Sequence, residues 1–305
     1  MLRLALAILL LASTALSQSD AKLVKQLKNL LAQHQGKMGF VAKDLKTGQS
    51  VNLGGDDVVP TASTIKLLIY VEAFHQIKDG KKSLSDEITL QKEDQVPGSG
   101  VLQFFHTPHK LTLEDAIAMM MIQSDNTATN LVIDHIGLAN INYRAETMGL
   151  KNTHLYKKVY RKAEGPMPPD QKKFGLGKTT AAEAAQIMQS IVECELKDEA
   201  LCKRMVEIMK NQSYRNMIPR YIEAELDSTE GGSKIADKVG QIDASRSDVA
   251  AIWTDNGVLI ISAYSYENKD QRWSPENEAE LTIAKMAQRV FQAWGKAGKA
   301  ASRVK

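Results

Sequence analysis

Cysteine is scarce in this sequence. Among 305 residues only Cys194 and Cys202 occur, with seven mostly charged residues between them in ECELKDEALC. No histidine lies close to them and the spacing is not that of a zinc knuckle, so a metal pair is the less favoured interpretation, and a catalytic thiol is less favoured still. In an exported chain the pair predicts a local structural disulfide.

The sequence also lacks a large excess of charge of one sign. It has 39 basic and 36 acidic side chains, a net charge of +3, which does not by itself indicate nucleic acid, so we expect no nucleic-acid partner. Its hydrophobic share of 43% is enough to form the core of an ordinary globular protein. A local cluster of basic residues is expected to form a solvated end of the chain: Lys296, Lys299, Arg303 and Lys305.

Beyond its first residues the sequence has no long hydrophobic run. Arg3 precedes an apolar stretch from Leu4 to Ala12, and small residues follow up to Ala15-Leu16-Ser17, which is typical of a secretory signal peptide. We expect residues 1–17 to be removed and the protein to be periplasmic or extracellular, without stable membrane insertion. An uncleaved signal anchor is the alternative.

The hydrophobic periodicity predicts an α+β fold. A helix over Ala21 to Gln35 and a hairpin around Lys46–Gln49 come first, and strands and a final helix over Pro275 to Trp294 come last. A hairpin is not stable alone, so strands from both termini are expected to form one antiparallel sheet of about five strands. Between them lies a mostly helical insertion, with helices predicted over these ranges: Thr64–Gln76, Leu113–Ser124, Thr127–Ile136, Ile141–Met148, Ala181–Ile191 and Glu199–Lys210.

These patterns divide residues 18–305 into one domain with two parts. The α/β part covers residues 21–60 and 225–295, and the helical part covers residues 61–224. The least regular stretch, Lys157 to Lys178, is rich in proline and glycine, and a loop of that length inside a compact domain is usually functional.

The first chemical motif is Ser63-Thr64-Ile65-Lys66, where strand-like sequence changes to a helical pattern. A serine at a helix start with a lysine three residues later places the hydroxyl and the amine on one face. A neutral, buried lysine could take the serine proton. The alternative is a helix N-cap serine beside an exposed lysine, since such pairs are common by chance.

Two further motifs follow along the chain. Ser124-Asp125-Asn126 combines a hydroxyl that can pass a proton with a side-chain amide that can hold a carbonyl, although the same residues would also cap the next helix. Lys238-Val239-Gly240 places a positive charge and a glycine on a predicted edge strand. The alternative there is a surface lysine that protects a sheet edge.

The three motifs in this order resemble the signature set of class A β-lactamases and penicillin-binding proteins. The resemblance extends to the segments MIQSDNTATNLVI, IADKVGQIDASRSDVAAIWTDNG and KTTAAEAAQIM. It covers essentially the whole chain after residue 17, and it implies the β-lactamase/transpeptidase-like fold.

The resemblance implies a role for each motif residue. Ser63 would attack the carbonyl, Lys66 would assist its deprotonation and Ser124 would relay a proton to the leaving nitrogen. Asn126 would bind a substrate amide. Around them, the resemblance implies an oxyanion hole formed by the N–H groups of Ser63 and Gln241 beside Gly240, and positive charge from Lys238 and Arg246 for a substrate carboxylate.

Two departures from the family pattern bear on the reaction. Val239 stands where the family usually has a hydroxyl residue, so one carboxylate contact is missing. The long loop lacks the family's Arg-x-Glu-x-x-Leu-Asn; Glu164 follows Arg161 one residue late and has no Leu-Asn after it. Glu164 is the candidate base for deacylation, and a solvated loop residue is the alternative. Without a base there, acylation would proceed and hydrolysis of the acyl-enzyme would slow.

These observations predict a monomeric serine hydrolase that opens β-lactam amides through an acyl-enzyme. The rivals are a related peptidase or esterase, a slowly deacylating penicillin-binding protein, and a module that binds a β-lactam or a peptidoglycan-like acyl donor without turnover. We find no cofactor signal and expect no metal: Pro108 separates His106 from His109, and the run Met119–Met121 is typical of a helix core.

Overall fold

The computed structural model describes residues 18–163, 165–226 and 233–296. The predicted signal peptide and the basic residues Lys299, Arg303 and Lys305 lie outside these ranges. The α-helices of the described chain are α1 Gln18–Gln33, α2 Lys66–Lys78, α3 Leu113–Ile122, α4 Asn126–Ile136, α5 Leu138–Thr147, α6 Gln171–Phe174, α7 Ala181–Val192, α8 Glu199–Lys210 and α9 Glu278–Val290. Its strands are β1 Lys37–Asp44, β2 Ser50–Leu53, β3 Val59–Pro60, β4 Glu87–Leu90, β5 His109–Thr112, β6 His154–Leu155, β7 Gly177–Thr179, β8 Ile235–Ile242, β9 Ser245–Thr254 and β10 Gly257–Tyr266.

The main sheet confirms the predicted architecture. Its five antiparallel strands have the order β2-β1-β10-β9-β8, so the N-terminal hairpin pairs with the C-terminal strands through β1 and β10. The fold is α+β, and α2 to α8 all lie between the two sets of strands in sequence.

Both faces of this sheet are buried. Along β9, Val249 and Ala251 pack into the core shared with the helical part, whereas Ala250 and Ile252 pack into a second core with α1 and α9. Because successive side chains of a strand point to opposite faces, a sheet covered on both sides needs apolar residues at nearly every position. Strand β9 has them from Val249 to Trp253.

The structure differs from the predicted elements in several places. The sequence reasoning did not predict a three-stranded sheet in the order β3-β7-β6 or a ribbon of β4 with β5, because strands of two to four residues are too short to show alternation. The irregular stretch Lys157 to Lys178 contains helix α6 and the start of β7. The predicted final helix is α9 followed by a π-helical turn, Phe291–Gly295.

Helix α2 is the centre of the helical part. Its residues from Lys66 to Phe74 are all buried, and it packs against α4, α5 and α7. A helix that is apolar on every side is expected at such a position. The turn before its N-terminal end, residues 62–65, packs against the edge strand β8.

Two further properties of the described chain bear on the predictions from sequence. Cys194 and Cys202 form a disulfide with a Cα–Cα distance of 5.6 Å, which joins the turn after α7 to α8. No helix within the described ranges is long and apolar enough to cross a membrane.

We expect the double variant Cys194→Ala/Cys202→Ala to fold with a free energy of unfolding lower by about 2–3 kcal/mol, because closing so short a loop removes limited chain entropy from the unfolded state. Urea denaturation of both proteins measures the difference. Wild type in a reducing agent is the control and should approach the variant, whereas the variant should not respond. If the reduced and oxidised wild type unfold at the same urea concentration, the bond contributes nothing.

Candidate active site

Ser63 lies in a 3₁₀ turn, Ala62–Ile65, between β3 and α2. The turn is fixed on both sides: the Thr61 N–H donates to the Gly177 carbonyl at 3.0 Å, and the Tyr264 hydroxyl donates to Thr64 Oγ1 at 2.7 Å. Ala62 has a φ of 45°, a conformation that is costly for a residue with a side chain and that persists only where surrounding contacts impose it. The nucleophile candidate is therefore held at a defined position.

Lys66 begins α2, and its side chain is fully buried. Its Nζ donates to the Ser124 carbonyl at 2.6 Å, to Ser124 Oγ at 3.1 Å and to Asn126 Oδ1 at 3.2 Å. The alternative interpretation, in which Lys66 is exposed, is therefore wrong. In this arrangement the amine contacts the second motif and forms no hydrogen bond with the Ser63 hydroxyl, and catalytic hydrogen bonds often form only in the substrate complex.

The second motif is the turn between α3 and α4. Ser124, with a φ of 52°, presents its hydroxyl to the lysines, while Asp125 caps α4 through the Ala128 N–H at 2.9 Å. The same carboxylate accepts from the N–H groups of Val101 and Leu102 at 2.7 and 2.8 Å. Asp125 therefore caps the helix, whereas its neighbours Ser124 and Asn126 contact Lys66. Asp125 also holds the loop at residues 101–102 against the motif.

Lys238 of the edge strand β8 is also fully buried. Its Nζ donates to Ser124 Oγ at 3.0 Å and to the Val239 carbonyl at 2.9 Å, so the alternative of an exposed edge lysine is wrong. Two residues further along β8 is Gly240. A Cβ atom there would lie 2.8 Å from the main-chain oxygen of Thr61 and 3.0 Å from the main-chain nitrogen of Thr64. Only glycine lets β8 approach the nucleophile turn this closely.

Burial and nearby charges shift the pKa values of Lys66 and Lys238 to different extents. Burial, and then the nearby charge of Lys238, lowers the pKa of Lys66 well below its usual value, against a smaller opposing effect of Asp125. Burial lowers the pKa of Lys238 to about 8, while Asp237 and Asp248 act in the opposite direction. Two ammonium groups on one hydroxyl repel each other, and the carboxylates favour retention of the proton by Lys238.

Sequence reasoning missed this pair of carboxyl groups. Asp237 and Asp248 occupy diagonal positions on β8 and β9, and both are buried. Arg215 binds Asp237 and also donates to Glu223 at 2.6 Å, and Asp248 accepts from the Ile218 N–H at 3.0 Å. Burial raises the pKa of both carboxyls, that of Asp248 to about 7. An aspartate next to Lys238 within a strand was the one available signal.

The structure does not bring Arg246 together with the other predicted residues at the cleft. Its guanidinium is fully buried and donates to Glu280 Oε1 at 3.1 Å. Its Nη1 and Nη2 atoms donate to main-chain carbonyls, those of Ile242 at 2.6 Å and Arg272 at 2.8 Å among them. Glu280, on a helix more than thirty residues later in sequence, draws the side chain away from the cleft.

A cleft of about 610 Å³ joins the motif residues. Ser63, Ser124 and Asn126 line it together with Val239 and Gln241. Three aromatic side chains that were not predicted as site residues also line it: Tyr160, Tyr214 and Trp273.

Within the described ranges no carboxylate lines the cleft. Glu164 lies outside the described residues. The chain just before it is anchored by Asn130 of α4, which accepts from the Val159 N–H at 2.8 Å and donates to the Val159 carbonyl at 3.0 Å. No group of three or more potential metal ligands occurs in the described chain.

Comparisons with known proteins agree with this geometry. The β-lactamase enzyme family matches residues 22–294. The β-lactamase CARB-3 of Pseudomonas aeruginosa is 23% identical over 260 residues, 85% of each chain. The β-lactamase of Sphaerobacter thermophilus DSM 20745 has a similar structure, with a TM-score of 0.77, 26% identity, and coverage of 89% of this chain and 97% of that one.

A second solved structure is a variant of PBP-A as its acyl-enzyme complex with penicillin G. It has a TM-score of 0.75 and 26% identity, and the match covers 91% of this chain and 97% of that one. With its three motifs brought together at one cleft, the chain belongs to the β-lactamase enzyme family, and those motifs are the ones found in class A members.

Proposed function

We propose that the protein is an exported serine hydrolase that opens β-lactam amides through an acyl-enzyme on Ser63. One observation carries the proposal: the Ser124 hydroxyl lies between the amines of Lys66 and Lys238, in the cleft that Ser63 lines. A binding module without chemistry would not need two buried lysines on one hydroxyl, since burying an amine is costly.

In acylation, Lys66 in its neutral form takes the proton of Ser63 while the Ser63 oxygen bonds to the β-lactam carbonyl carbon. The carbon–nitrogen bond then breaks. Ser124 gives its hydroxyl proton to the leaving nitrogen and takes one from Lys66, so the proton of Ser63 is in effect transferred to the product. The charge on Lys238 holds the Ser124 oxygen in place for this relay.

The carbonyl oxygen would be held by the N–H groups of Ser63 and Gln241. The close approach of Gly240 to Thr61 and Thr64 supports this assignment, because it places β8 directly beside the nucleophile turn. Asn126, whose amide is oriented by Lys66 and by the Pro97 carbonyl at 3.1 Å, would bind the amide of the acyl side chain.

Glu164 is the proposed base for deacylation. It is the first carboxylate in the sequence after Val159, which Asn130 anchors beside the motif helix α4. A slowly deacylating penicillin-binding protein is the second candidate, because no carboxylate lines the described part of the cleft. The penicillin G acyl-enzyme of the PBP-A variant supports the acylation step that both candidates share.

Export is proposed from residues 1–17 and agrees with a disulfide, which persists mainly in oxidising compartments. Residues 18–305 would then be the mature catalytic domain, acting as a monomer on a small acyl donor.

The time course of a chromogenic cephalosporin tests the function. We expect release of product in excess of the enzyme, and a loss of at least about 10³-fold in the Ser63→Ala variant, because the covalent route requires the hydroxyl. Product equal to the enzyme concentration would identify a penicillin-binding protein instead. A signal unaffected by Ser63→Ala would refute the nucleophile.

In the same assay Glu164→Gln tests the base. It should leave the rate of acylation unchanged and slow the second phase by about 10²-fold or more, since each step needs its own proton transfer. Glu195→Gln, an exposed carboxylate outside the cleft, is the matched control. An unchanged second phase in Glu164→Gln would exclude Glu164.

The rate of acylation should also depend on pH in two steps. It rises as Lys66 loses its proton and falls as Lys238 loses its own, near pH 8. Lys238→Arg should shift the falling limb to higher pH, because a guanidinium stays charged. Lys210→Arg, which replaces a lysine packed on Trp253, is the control and should not shift it. A falling limb that stays near pH 8 in Lys238→Arg would contradict the assignment.

A further inference from the structure

One wall of the cleft is formed by Tyr214, Val239, Gln241 and Trp273, next to β8. Among the described residues that line it there is no cation, although the family pattern predicts one here. Arg246 is buried and paired with the equally buried Glu280 at 3.1 Å, and both of its Nη atoms donate to main-chain carbonyls. The charges of the pair cancel. Reaching a ligand would require Arg246 to leave these partners.

Trp273 closes the route from Arg246 to the cleft. Its ring lies on the guanidinium, with 4.8 Å between the guanidinium carbon and the ring centroid. The same ring is 64% exposed and lines the cleft. An indole that packs on a cation with one face leaves the rest of its surface for an apolar or aromatic group of a ligand.

The polar neighbours of Trp273 are turned toward Glu280. The Tyr214 hydroxyl donates to both carboxylate oxygens at 3.0 and 2.9 Å, and the Gln241 side-chain amide donates to one of them at 3.0 Å. The one proton of Tyr214 is therefore used, and its oxygen takes part in hydrogen bonds with Asn216 and Gln241, so this hydroxyl has no proton left for a ligand carboxylate. Val239 adds an apolar surface in place of a hydroxyl.

Lys238 does not line this wall. Its Nζ is buried and is held by Ser124 Oγ and by the Val239 carbonyl. A carboxylate at this wall would lose water against the apolar surfaces of Val239 and Trp273, and Arg246 would not supply the charge-assisted donors that such a group needs.

We propose that this wall selects acyl donors whose leaving-group side is neutral and apolar at the position facing Trp273, and that it disfavours those bearing a carboxylate there. The proposal rests on the proposed function, since it concerns the leaving-group side of the same acylation. Trp273 and Glu280 are its specificity-determining residues: Trp273 supplies the contact, and Glu280 positions Arg246 away from the ligand.

The test compares benzylpenicillin with its methyl ester, which differ only in the carboxylate. The second-order rate constant kcat/KM for ring opening of each compound, which covers the steps up to acylation of Ser63, is measured by absorbance with Ser63→Ala as the blank, and each value is divided by the rate constant of the same compound with hydroxide. We expect the corrected rate for wild type to favour the ester by at least about 5-fold. A corrected preference for the acid overturns the proposal.

Variants of Trp273 and Glu280 test whether these residues determine the preference between ester and acid. Trp273→Ala/Glu280→Asn should release Arg246 and shift the preference toward the acid by about 10-fold, whereas Trp273→Phe, which keeps an aromatic face, should retain the preference for the ester. If the ratio does not change in a double variant whose circular dichroism is that of wild type, these residues do not determine it. If neither compound acylates wild type, the proposed function fails, and that result is distinct from acylation with the opposite preference.

Discussion

The arrangement of the site depends on one hydroxyl that two buried lysines share. Ser124 Oγ accepts from Lys66 at 3.1 Å and from Lys238 at 3.0 Å, and these groups come from a helix start, a turn and an edge strand far apart in the sequence. Two full charges this close would repel each other in a buried site. The structure resolves this conflict by lowering the pKa of Lys66, and the carboxyls of Asp237 and Asp248 favour the proton on Lys238.

The fold holds these groups by constraints that lie outside the chemistry. Ala62 and Ser124 both have a positive φ, at 45° and 52°, so the backbone at two of the motifs is strained. Hydrogen bonds of Asp125 to three N–H groups stabilise the second motif, and Gly240 lets β8 approach the first. Local strain is thus offset by contacts with neighbouring elements, as is common in sites that are organised before the ligand binds.

The sequence predicted what depends on local pattern. The main strands, most helices and the three motifs were recognisable because periodicity and spacing lie within one segment. The environment of Arg246 was not, because the same short motif can face a cleft or, as here, pair with Glu280 under Trp273. The charge balance on Lys238 likewise depends on Asp248, which comes close only through the pairing of β8 with β9. Burial and long-range pairing decide such features, and a single sequence does not show them.

The most direct test of this account is the order in which the two lysines lose their protons. Nuclear magnetic resonance of protein labelled at lysine Cε and Nζ, with Lys66→Arg and Lys238→Arg for assignment, follows both amines from pH 5 to 10. Lys66 should become neutral at a lower pH than Lys238, and Lys238 should titrate near pH 8. If Lys66 keeps its proton until Lys238 has lost its own, Lys66 is not the base and the proposed division of charge is wrong.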